Sequence, residues 1–130
     1  MPDTKTTIMC KRILAVDDDL SILSVLKDLL EYEGYEVSTL STGEKVMEEI
    51  KNHTPDLILL DVMLAGMDGR DICRTIKEKI ETHDIPVILI SATHNLSDSL
   101  KAEGAPDDFI AKPFDIRILL KKIERQLSAA

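Results

Sequence analysis

The sequence predicts an α/β domain with a five-stranded parallel sheet, in the strand order 2-1-3-4-5, and helices on both faces. Short runs of consecutive apolar residues alternate along the chain with segments in which apolar residues recur at helical spacing. The loops between them are short, and strands that alternate with helices form parallel sheets through right-handed crossovers. With 130 residues, 44% of them hydrophobic, the chain has the length and apolar content of one domain.

The first strand is predicted at residues 13–16, an apolar run that leads into three acids, Asp17, Asp18 and Asp19. Apolar residues then recur at helical spacing, and Asp19 can cap the free N–H groups at the start of this first helix. Gly34 can adopt the left-handed conformation that ends a helix. Asp17 and Asp18 are therefore expected at the carboxyl end of the first strand.

The second strand is predicted at residues 35–39, where apolar and polar side chains alternate. Alternation indicates one wetter face, which suits a strand at the edge of the sheet. Ser41 and Glu44 fit a capping box, so the second helix is predicted to start there and to end before Pro55.

The third strand is predicted at residues 57–60, four consecutive apolar residues that end abruptly at Asp61. Such a run is too apolar for a strand with one exposed face, and it indicates a central strand that is buried on both faces. Asp61 would then stand at the carboxyl end of a parallel strand, where open α/β sheets bind their ligands. This position makes Asp61 the central candidate for chemistry.

The third helix follows a predicted loop at residues 66–69, which is rich in turn-forming residues. Ile72, Ile76 and Ile80 recur at helical spacing and predict a helix with a single apolar stripe.

Two further strands complete the predicted sheet. The fourth covers residues 87–90 and stops at Ser91, and the fifth covers residues 109–111 and stops at Lys112. Helical spacing of apolar residues predicts a final helix over residues 116–127. The carboxyl ends of these strands add a hydroxyl and an ammonium group to the edge that carries the acids.

These strand ends predict a phosphoryl site with a metal ion. In the predicted order the first and third strands are neighbours where the order reverses, so Asp17, Asp18 and Asp61 should meet in one crevice. Three close carboxylates repel one another unless a hard cation neutralises them, and an all-oxygen site with room for water suits Mg²⁺. A hydroxyl and an ammonium, from Ser91 and Lys112, suit a phosphoryl group. The structural alternatives are a plain helix start, a helix cap and a surface charge.

The composition argues against several classes of partner. Acids outnumber bases 24 to 16, and a formal charge of -8 disfavours nucleic acid. With two Phe, two Tyr and no Trp there is no aromatic platform on which bases could stack. Cys10 and Cys73 make neither a disulfide framework nor a metal cluster, and we find no secretory signal and no apolar run of membrane length. A cytoplasmic location is therefore expected.

Four ordered blocks of the sequence together resemble the receiver domain of two-component response regulators. The blocks are residues 13–19 (ILAVDDD), residues 57–61 with 67–69 (LILLD and MDG), residues 86–92 (PVILISA) and residues 112–114 (KPF). The resemblance covers residues 11–127 and implies a stand-alone, CheY-like domain of the flavodoxin-like fold. Residues 1–10 are expected to be a flexible tail.

The resemblance implies that Asp61 is the phosphoacceptor, which attacks the phosphohistidine of a sensor histidine kinase or histidine phosphotransfer protein. Asp17, Asp18 and Asp61 would hold Mg²⁺ together with the backbone carbonyl of Met63. The domain would support its own phosphotransfer and a slow dephosphorylation, and would act on a downstream protein target as a signalling phosphoacceptor rather than as an enzyme.

The resemblance also implies roles for the residues around the phosphoryl group. Lys112 would pair with one phosphoryl oxygen, and Ser91 would hydrogen-bond another when the domain is active. Phe109 matches the aromatic switch position, for which an ordinary core aromatic is the alternative. A cis peptide bond is expected between Lys112 and Pro113, where proline lowers the cis penalty.

The sequence departs from the family pattern in two regions. Ala65 stands where proline is frequent, which predicts a looser loop after Asp61. Pro106 is an added residue before the fifth strand, and the helix between the fourth and fifth strands is predicted to be short, at residues 97–103. In the family that the sequence resembles, the positions of Met63 and Thr93 tune the access of hydrolytic water.

Two other functions compete with the phosphoacceptor. A receiver-like module could bind a protein partner without phosphorylation. A phosphatase of the haloacid dehalogenase type also has an acid at a strand end, but it requires a second Asp two residues after the nucleophile, where this chain has Met63.

Overall fold

A computed structural model describes residues 10–92 and 105–128 of the chain. The strands are β1 (Arg12–Val16), β2 (Glu36–Leu40), β3 (Leu57–Asp61), β4 (Met63–Leu64), β5 (Met67–Asp68), β6 (Val87–Ser91) and β7 (Asp108–Ala111). The helices are α1 (Leu20–Tyr32), α2 (Val46–Asn52), α3 (Gly69–Glu78) and α4 (Ile116–Ser128).

The main sheet contains five parallel strands in the order β2-β1-β3-β6-β7. Since β4 and β5 form a separate antiparallel hairpin, this order is the predicted 2-1-3-4-5. The wetter strand β2 lies at one edge, and every residue of the central strands β3 and β6 is buried. The predicted fold class is therefore confirmed.

Two apolar layers cover the faces of the sheet. Alternate residues of β1, such as Leu14 and Ile13, point to opposite faces because side chains alternate along a strand. The Leu14 face packs against α2 and α3, and the Ile13 face packs against α1 and α4. Covering both faces removes the strands from water, which accounts for their continuous apolar sequence.

Helix α1 begins as the sequence predicts. The Asp19 carboxylate accepts hydrogen bonds from the backbone N–H groups of Ser21 and Ile22, at 2.9 and 3.3 Å. Gly34 follows the end of the helix with a positive φ of 101°, a conformation that costs glycine little.

The predicted start of the second helix is wrong. Helix α2 begins at Val46, after Lys45, and no side chain caps its first N–H groups. Glu44 precedes the helix, so Ser41 and Glu44 do not form a capping box. The helix starts where Val46 and Ile50 can both be buried, and this tertiary packing outweighs the local capping pattern.

The prediction for the third helix is wrong at both ends. The predicted loop over residues 66–69 contains β5, and Gly69 is already the first residue of α3. The helix ends at Glu78, so Ile80 lies beyond it and is exposed instead of extending the apolar stripe. The buried Thr82 hydroxyl donates a hydrogen bond to the Ile76 carbonyl at 2.6 Å and stabilises this early end.

Other predictions concern residues outside those described. Residues 1–9 of the expected tail, Thr93 and the short helix at residues 97–103 lie outside the described ranges. Four of the five predicted helical segments are therefore observed. In the part of the chain that the structure describes, no helix has both the length and the apolar character to cross a membrane.

An ion pair ties the start of β7 to α3 at the amino ends of the strands. Lys77 forms a salt bridge with Asp107 and donates hydrogen bonds to the carbonyls of Ile85 and His83, at 2.8 and 3.2 Å. The Asp107 carboxylate also accepts a hydrogen bond from the Val87 N–H at 2.8 Å. The Lys77 side chain is only 12% exposed, so it could not easily replace these partners with water.

We expect Asp107→Asn to lower the free energy of unfolding by about 2 kcal/mol, because it leaves the Lys77 ammonium without its anion. Asn can still accept the hydrogen bond from Val87, so the change tests the charge. Urea unfolding measures the effect. Asp71→Asn is the matched control: it removes an exposed ion pair with Arg74 and should change stability by less than about 0.5 kcal/mol. Equal effects of both variants would contradict the assignment.

Candidate functional site

The register of the sheet brings the predicted acids together. Val16 of β1 pairs with Leu60 of β3, so the next residues, Asp17 and Asp61, lie side by side at the carboxyl ends of neighbouring strands. One oxygen atom from each carboxylate of Asp17, Asp18 and Asp61 can be chosen so that all three lie within 4.8 Å of one another. Asp17 and Asp61 are buried, and Asp18 is exposed. The acids therefore line a crevice with one open side.

The next two strands deliver Ser91 and Lys112 to the same edge. Ser91 is the last residue of β6 and is fully buried. It pairs with Ala111 of β7, so Lys112 follows directly, and the Lys112 N–H donates a hydrogen bond to the Ser91 carbonyl at 2.7 Å. The peptide bond between Lys112 and Pro113 is cis, which confirms that expectation.

The Lys112 ammonium bridges the two buried acids. Its Nζ atom lies 3.0 Å from Oδ2 of Asp17 and 3.4 Å from Oδ2 of Asp61. The other oxygen of each acid accepts from the backbone: Asp17 Oδ1 from the Asp19 N–H at 2.9 Å, and Asp61 Oδ1 from the Met63 N–H at 3.4 Å. These contacts fix the orientation of both carboxylates.

The site holds more negative charge than Lys112 can balance. Burial raises the pKa of Asp61, and the neighbouring Asp17 carboxylate raises it further, while Lys112 opposes both effects only in part. Burial by itself would lower the pKa of Lys112, but hydrogen bonding and attraction to Asp17 and then Asp61 outweigh it, so its pKa is raised. Lys112 is therefore held in its charged form between the acids.

The donor set fits a hard divalent cation. Three carboxylates converge on one crevice, where Lys112 is the one ammonium group among the described residues that opposes them, so a cation would relieve their mutual repulsion. Carboxylate oxygens, with an open side for water on the Asp18 flank, are the ligands that Mg²⁺ prefers. The residues present are consistent with the predicted Mg²⁺ site.

Two other predicted site residues lie outside the acid cluster. Phe109 is half-buried on β7, packs against the apolar layer on the Leu14 face, and has the Lys122 Nζ atom 5.9 Å from its ring centroid. Lys122 also pairs with the Asp108 carboxylate at 3.1 Å. Met63 follows the site, and its side chain is exposed beside Asp61.

No pattern in the sequence predicts the hairpin that follows Asp61. Met63 pairs with Asp68, and Leu64 pairs with Met67, across a turn at Ala65 and Gly66. Its strands are only two residues long, too short for apolar alternation to be visible. The loop that follows Asp61 therefore contains a short paired structure next to the phosphoacceptor candidate.

Gly69 lets helix α3 approach the backbone of Asp61. A Cβ atom at Gly69 would clash with the Asp61 carbonyl and crowd Val62. The Gly69 N–H donates a hydrogen bond to the Val62 carbonyl at 2.8 Å. The Asp68-Gly69 pair, interpreted above as loop residues, is thus the point where the helix contacts the site.

Neither cysteine competes with Asp61 as a nucleophile. Cys73 is buried, and burial raises the pKa of its thiol to about 11, which leaves almost no thiolate at neutral pH. Cys10 is exposed near Gly34, which the register places at the opposite end of the strands from Asp61. The chemistry of the site rests on oxygen nucleophiles.

Comparison with known proteins agrees with this geometry. A family model described as response regulator receiver domain matches residues 13–124. The structure of a CheY-like receiver domain protein from Methanospirillum hungatei JF-1 is 33% identical and covers 92% of this chain and 95% of its own, with a TM-score of 0.84. The receiver domain of a signal transduction histidine kinase from Syntrophus aciditrophicus is 33% identical, with coverages of 93% and 92% and a TM-score of 0.84. A putative response regulator from Chloroflexus aurantiacus J-10-fl is 29% identical, with coverages of 92% and 98% and a TM-score of 0.83.

We expect Asp61→Asn to stabilise the metal-free protein by about 1 kcal/mol at neutral pH, because it removes one of two adjacent buried anions. Urea unfolding in the presence of a chelator measures this. Saturating Mg²⁺ should stabilise the wild type more than the variant and so reduce the difference. Asp56→Asn, at the other end of the same strand, is the control and should give no stabilisation; a destabilised Asp61→Asn variant would contradict the charge argument.

Proposed function

The chain belongs to the family of response regulator receiver domains, and from this premise we propose that Asp61 accepts a phosphoryl group from the phosphohistidine of a partner protein. The fold is CheY-like, as the predicted flavodoxin-like topology required. The observation that carries the proposal is the buried pair of Asp17 and Asp61, bridged by the Lys112 ammonium at the carboxyl edge of the sheet.

Asp61 is oriented for nucleophilic attack. Its Oδ1 atom is held by the Met63 N–H, and its Oδ2 atom faces Lys112. A carboxylate oxygen attacks phosphorus, the bond between phosphorus and the histidine nitrogen breaks, and its electron pair remains on the imidazole. The product is an acyl phosphate on Asp61. Because the pKa of Asp61 is raised by its surroundings, its carboxylate is a better nucleophile than an ordinary aspartate once it is ionised.

Lys112 can serve both the free and the phosphorylated forms. In the free form its Nζ atom contacts Asp17 more closely than Asp61, at 3.0 against 3.4 Å. When Asp61 becomes an acyl phosphate, its negative charge is carried by the phosphoryl oxygens instead of the carboxylate, and the ammonium can keep Asp17 while it pairs with a phosphoryl oxygen. Ser91, buried at the adjacent strand end, would hydrogen-bond a second phosphoryl oxygen.

Mg²⁺ would be held by Asp17, Asp18, Asp61 and the backbone carbonyl of Met63, and it would supply positive charge to the phosphoryl oxygens during transfer. Asp17 and Asp18 leave the end of β1 consecutively, one buried and one exposed. The buried Asp17 carboxylate and the exposed Asp18 carboxylate would both be ligands of the ion.

Phe109 is proposed as the residue that reports phosphorylation to a protein target. It lies on β7, three residues before Lys112, and is only half-buried. A movement of Ser91 toward the phosphoryl group would change the packing around this strand, and Phe109 would move with it. Lys122 and Asp108 form a partly buried ion pair beside it.

The partners proposed for the domain are a sensor histidine kinase or a histidine phosphotransfer protein, and a downstream protein target in the cytoplasm. One similar structure is itself the receiver domain of a histidine kinase, which supports the pairing of such domains with kinases. The formal charge of -8 disfavours direct binding to nucleic acid.

The competing functions have less support. A module that binds without phosphorylation would not need Asp17 and Asp61 buried together, an arrangement that costs free energy without a ligand. A phosphatase of the haloacid dehalogenase type would need an acid at position 63, where the exposed Met63 offers none.

Incubation with acetyl phosphate and Mg²⁺ should add one phosphoryl group to the chain, as measured by intact mass. We expect no adduct for Asp61→Asn or without Mg²⁺. Asp56→Asn removes an acid at the amino end of the same strand and should label like the wild type. Absence of an adduct on wild-type protein, under conditions in which a known receiver domain is labelled, would favour the binding module.

Phosphorylation should change the surroundings of the Phe109 ring more than those of the Phe114 ring. Incorporation of 4-fluorophenylalanine gives two ¹⁹F resonances, which Phe114→Leu assigns. We expect a larger shift at Phe109 upon phosphorylation, and a smaller response at Phe114, which packs on the other apolar layer. Equal or absent shifts in fully phosphorylated protein would identify Phe109 as an ordinary core aromatic.

A further inference from the structure

We propose that Arg70 is a positioning residue for the metal site, which acts through Asp68 on the backbone of Met63. This inference rests on the proposed function, because it assumes that the Met63 carbonyl is a ligand of Mg²⁺. It assigns a role to a side chain outside the acid cluster that the motif resemblance does not include. The path from Arg70 to Met63 consists of contacts within the described residues.

The Arg70 guanidinium contacts both carboxylate oxygens of Asp68, an arrangement that we call the fork. The Arg70 Nε atom lies 3.1 and 3.2 Å from the two carboxylate oxygens of Asp68, and its Nη2 atom lies 2.7 Å from Oδ2. The Arg70 backbone N–H also donates to Asp68 Oδ1 at 2.9 Å and makes Asp68 the cap of α3. The side-chain hydrogen bond from Arg70 lowers the pKa of Asp68, so the acid stays charged.

The hairpin links Asp68 to Met63. The two residues are direct partners in the antiparallel pair, and Met63 is the residue whose N–H binds the Asp61 carboxylate. Val62 directly precedes Met63. Its N–H donates a hydrogen bond to the Ile90 carbonyl at 2.9 Å, and its carbonyl accepts one from the Gly69 N–H at 2.8 Å. The chain before Met63 is therefore held by β6 and α3, and Asp68 lies opposite Met63 in the hairpin.

The turn of the hairpin restrains its backbone only weakly. Gly66 has a φ of 77°, the value that the second central residue of a type II turn requires, and proline suits the residue before it. That residue is Ala65, so the turn lacks the ring that would restrict its backbone. Two strands of two residues do not hold a hairpin by themselves. The fork between Arg70 and Asp68 supplies a restraint at the open end of the hairpin, where Met63 lies.

The direction of the change in Mg²⁺ affinity distinguishes a positioning role of Arg70 from a simple electrostatic effect. Removal of a cation near an acidic site should strengthen the binding of Mg²⁺, because it removes repulsion. Loss of a positioning contact should weaken the binding, because the Met63 carbonyl would no longer be held ready for the ion. The two effects act in opposite directions on the same dissociation constant.

The test is a titration of Mg²⁺ into unphosphorylated protein, followed by the backbone amide resonances of the residues around Asp61. We expect Arg70→Leu to raise the dissociation constant by about threefold to tenfold. This is less than the loss expected on mutation of a buried residue that supports a metal ligand, because the ion pair between Arg70 and Asp68 is half exposed. Arg70→Lys keeps the charge but lacks the fork, so it should also bind Mg²⁺ more weakly than the wild type.

Two variants complete the test. Arg74→Leu removes the same charge from the next turn of α3, where Arg74 pairs with Asp71 at 3.3 Å, and should leave the constant unchanged or lower it. Ala65→Pro introduced into Arg70→Leu should restore most of the lost affinity by restricting the turn. Urea unfolding of each variant checks that it is folded under the titration conditions.

The outcomes separate this inference from the proposed function. A dissociation constant for Arg70→Leu that is equal to or below that of the wild type overturns the positioning role, as does an equal rise for Arg74→Leu. Absence of any Mg²⁺ binding by the wild type overturns it too. If the wild type binds Mg²⁺ and the variants behave as expected but acetyl phosphate leaves no adduct on Asp61, the positioning role stands and the phosphoacceptor function fails.

Discussion

The burial of Asp17 beside Asp61 is the constraint on which this structure depends. Two carboxylates are carried out of water by neighbouring strands, and the register of Val16 with Leu60 leaves them no freedom to separate. A fold can sustain such a pair only if the sheet around it is well packed and a cation is near. The continuous apolar strands β3 and β6 provide the packing, and Lys112, delivered by β7, provides the cation. The site is thus a property of the whole sheet.

The sequence predicted the strands and the strand-end residues well because both follow from simple rules. A run of buried apolar residues announces a central strand, and the residue that ends the run must lie at the edge of the sheet. Asp61 and Ser91 were located in this way, and Asp19 was correctly assigned as a helix cap. The order of the strands then placed Asp17 beside Asp61 without any knowledge of side-chain contacts.

Local patterns failed where packing decided the outcome. Ser41 and Glu44 have the spacing of a capping box, yet α2 starts at Val46, which can reach the core. Ile80 continues the helical spacing of Ile72 and Ile76, yet the chain turns away before it, with the Thr82 hydroxyl bound to the Ile76 carbonyl. In each case the sequence pattern is real, but the tertiary contacts select a different boundary. The contacts of Arg70 and Lys122 were missed for another reason, since an exposed charged residue has no periodicity that would point to its partner.

The ion pair of Lys77 with Asp107 has a mechanical consequence for the opposite edge of the sheet. It anchors the amino end of β7 to α3, while the carboxyl end of the same strand leads to Lys112. A strand that is anchored at its amino end is displaced least at that end and most at its carboxyl end. A force applied through Lys112 would therefore displace the carboxyl end of β7 and would not slide the strand along β6. The ion pair at the amino ends of the strands thus leaves the carboxyl edge of the sheet as the part of β7 that can be displaced.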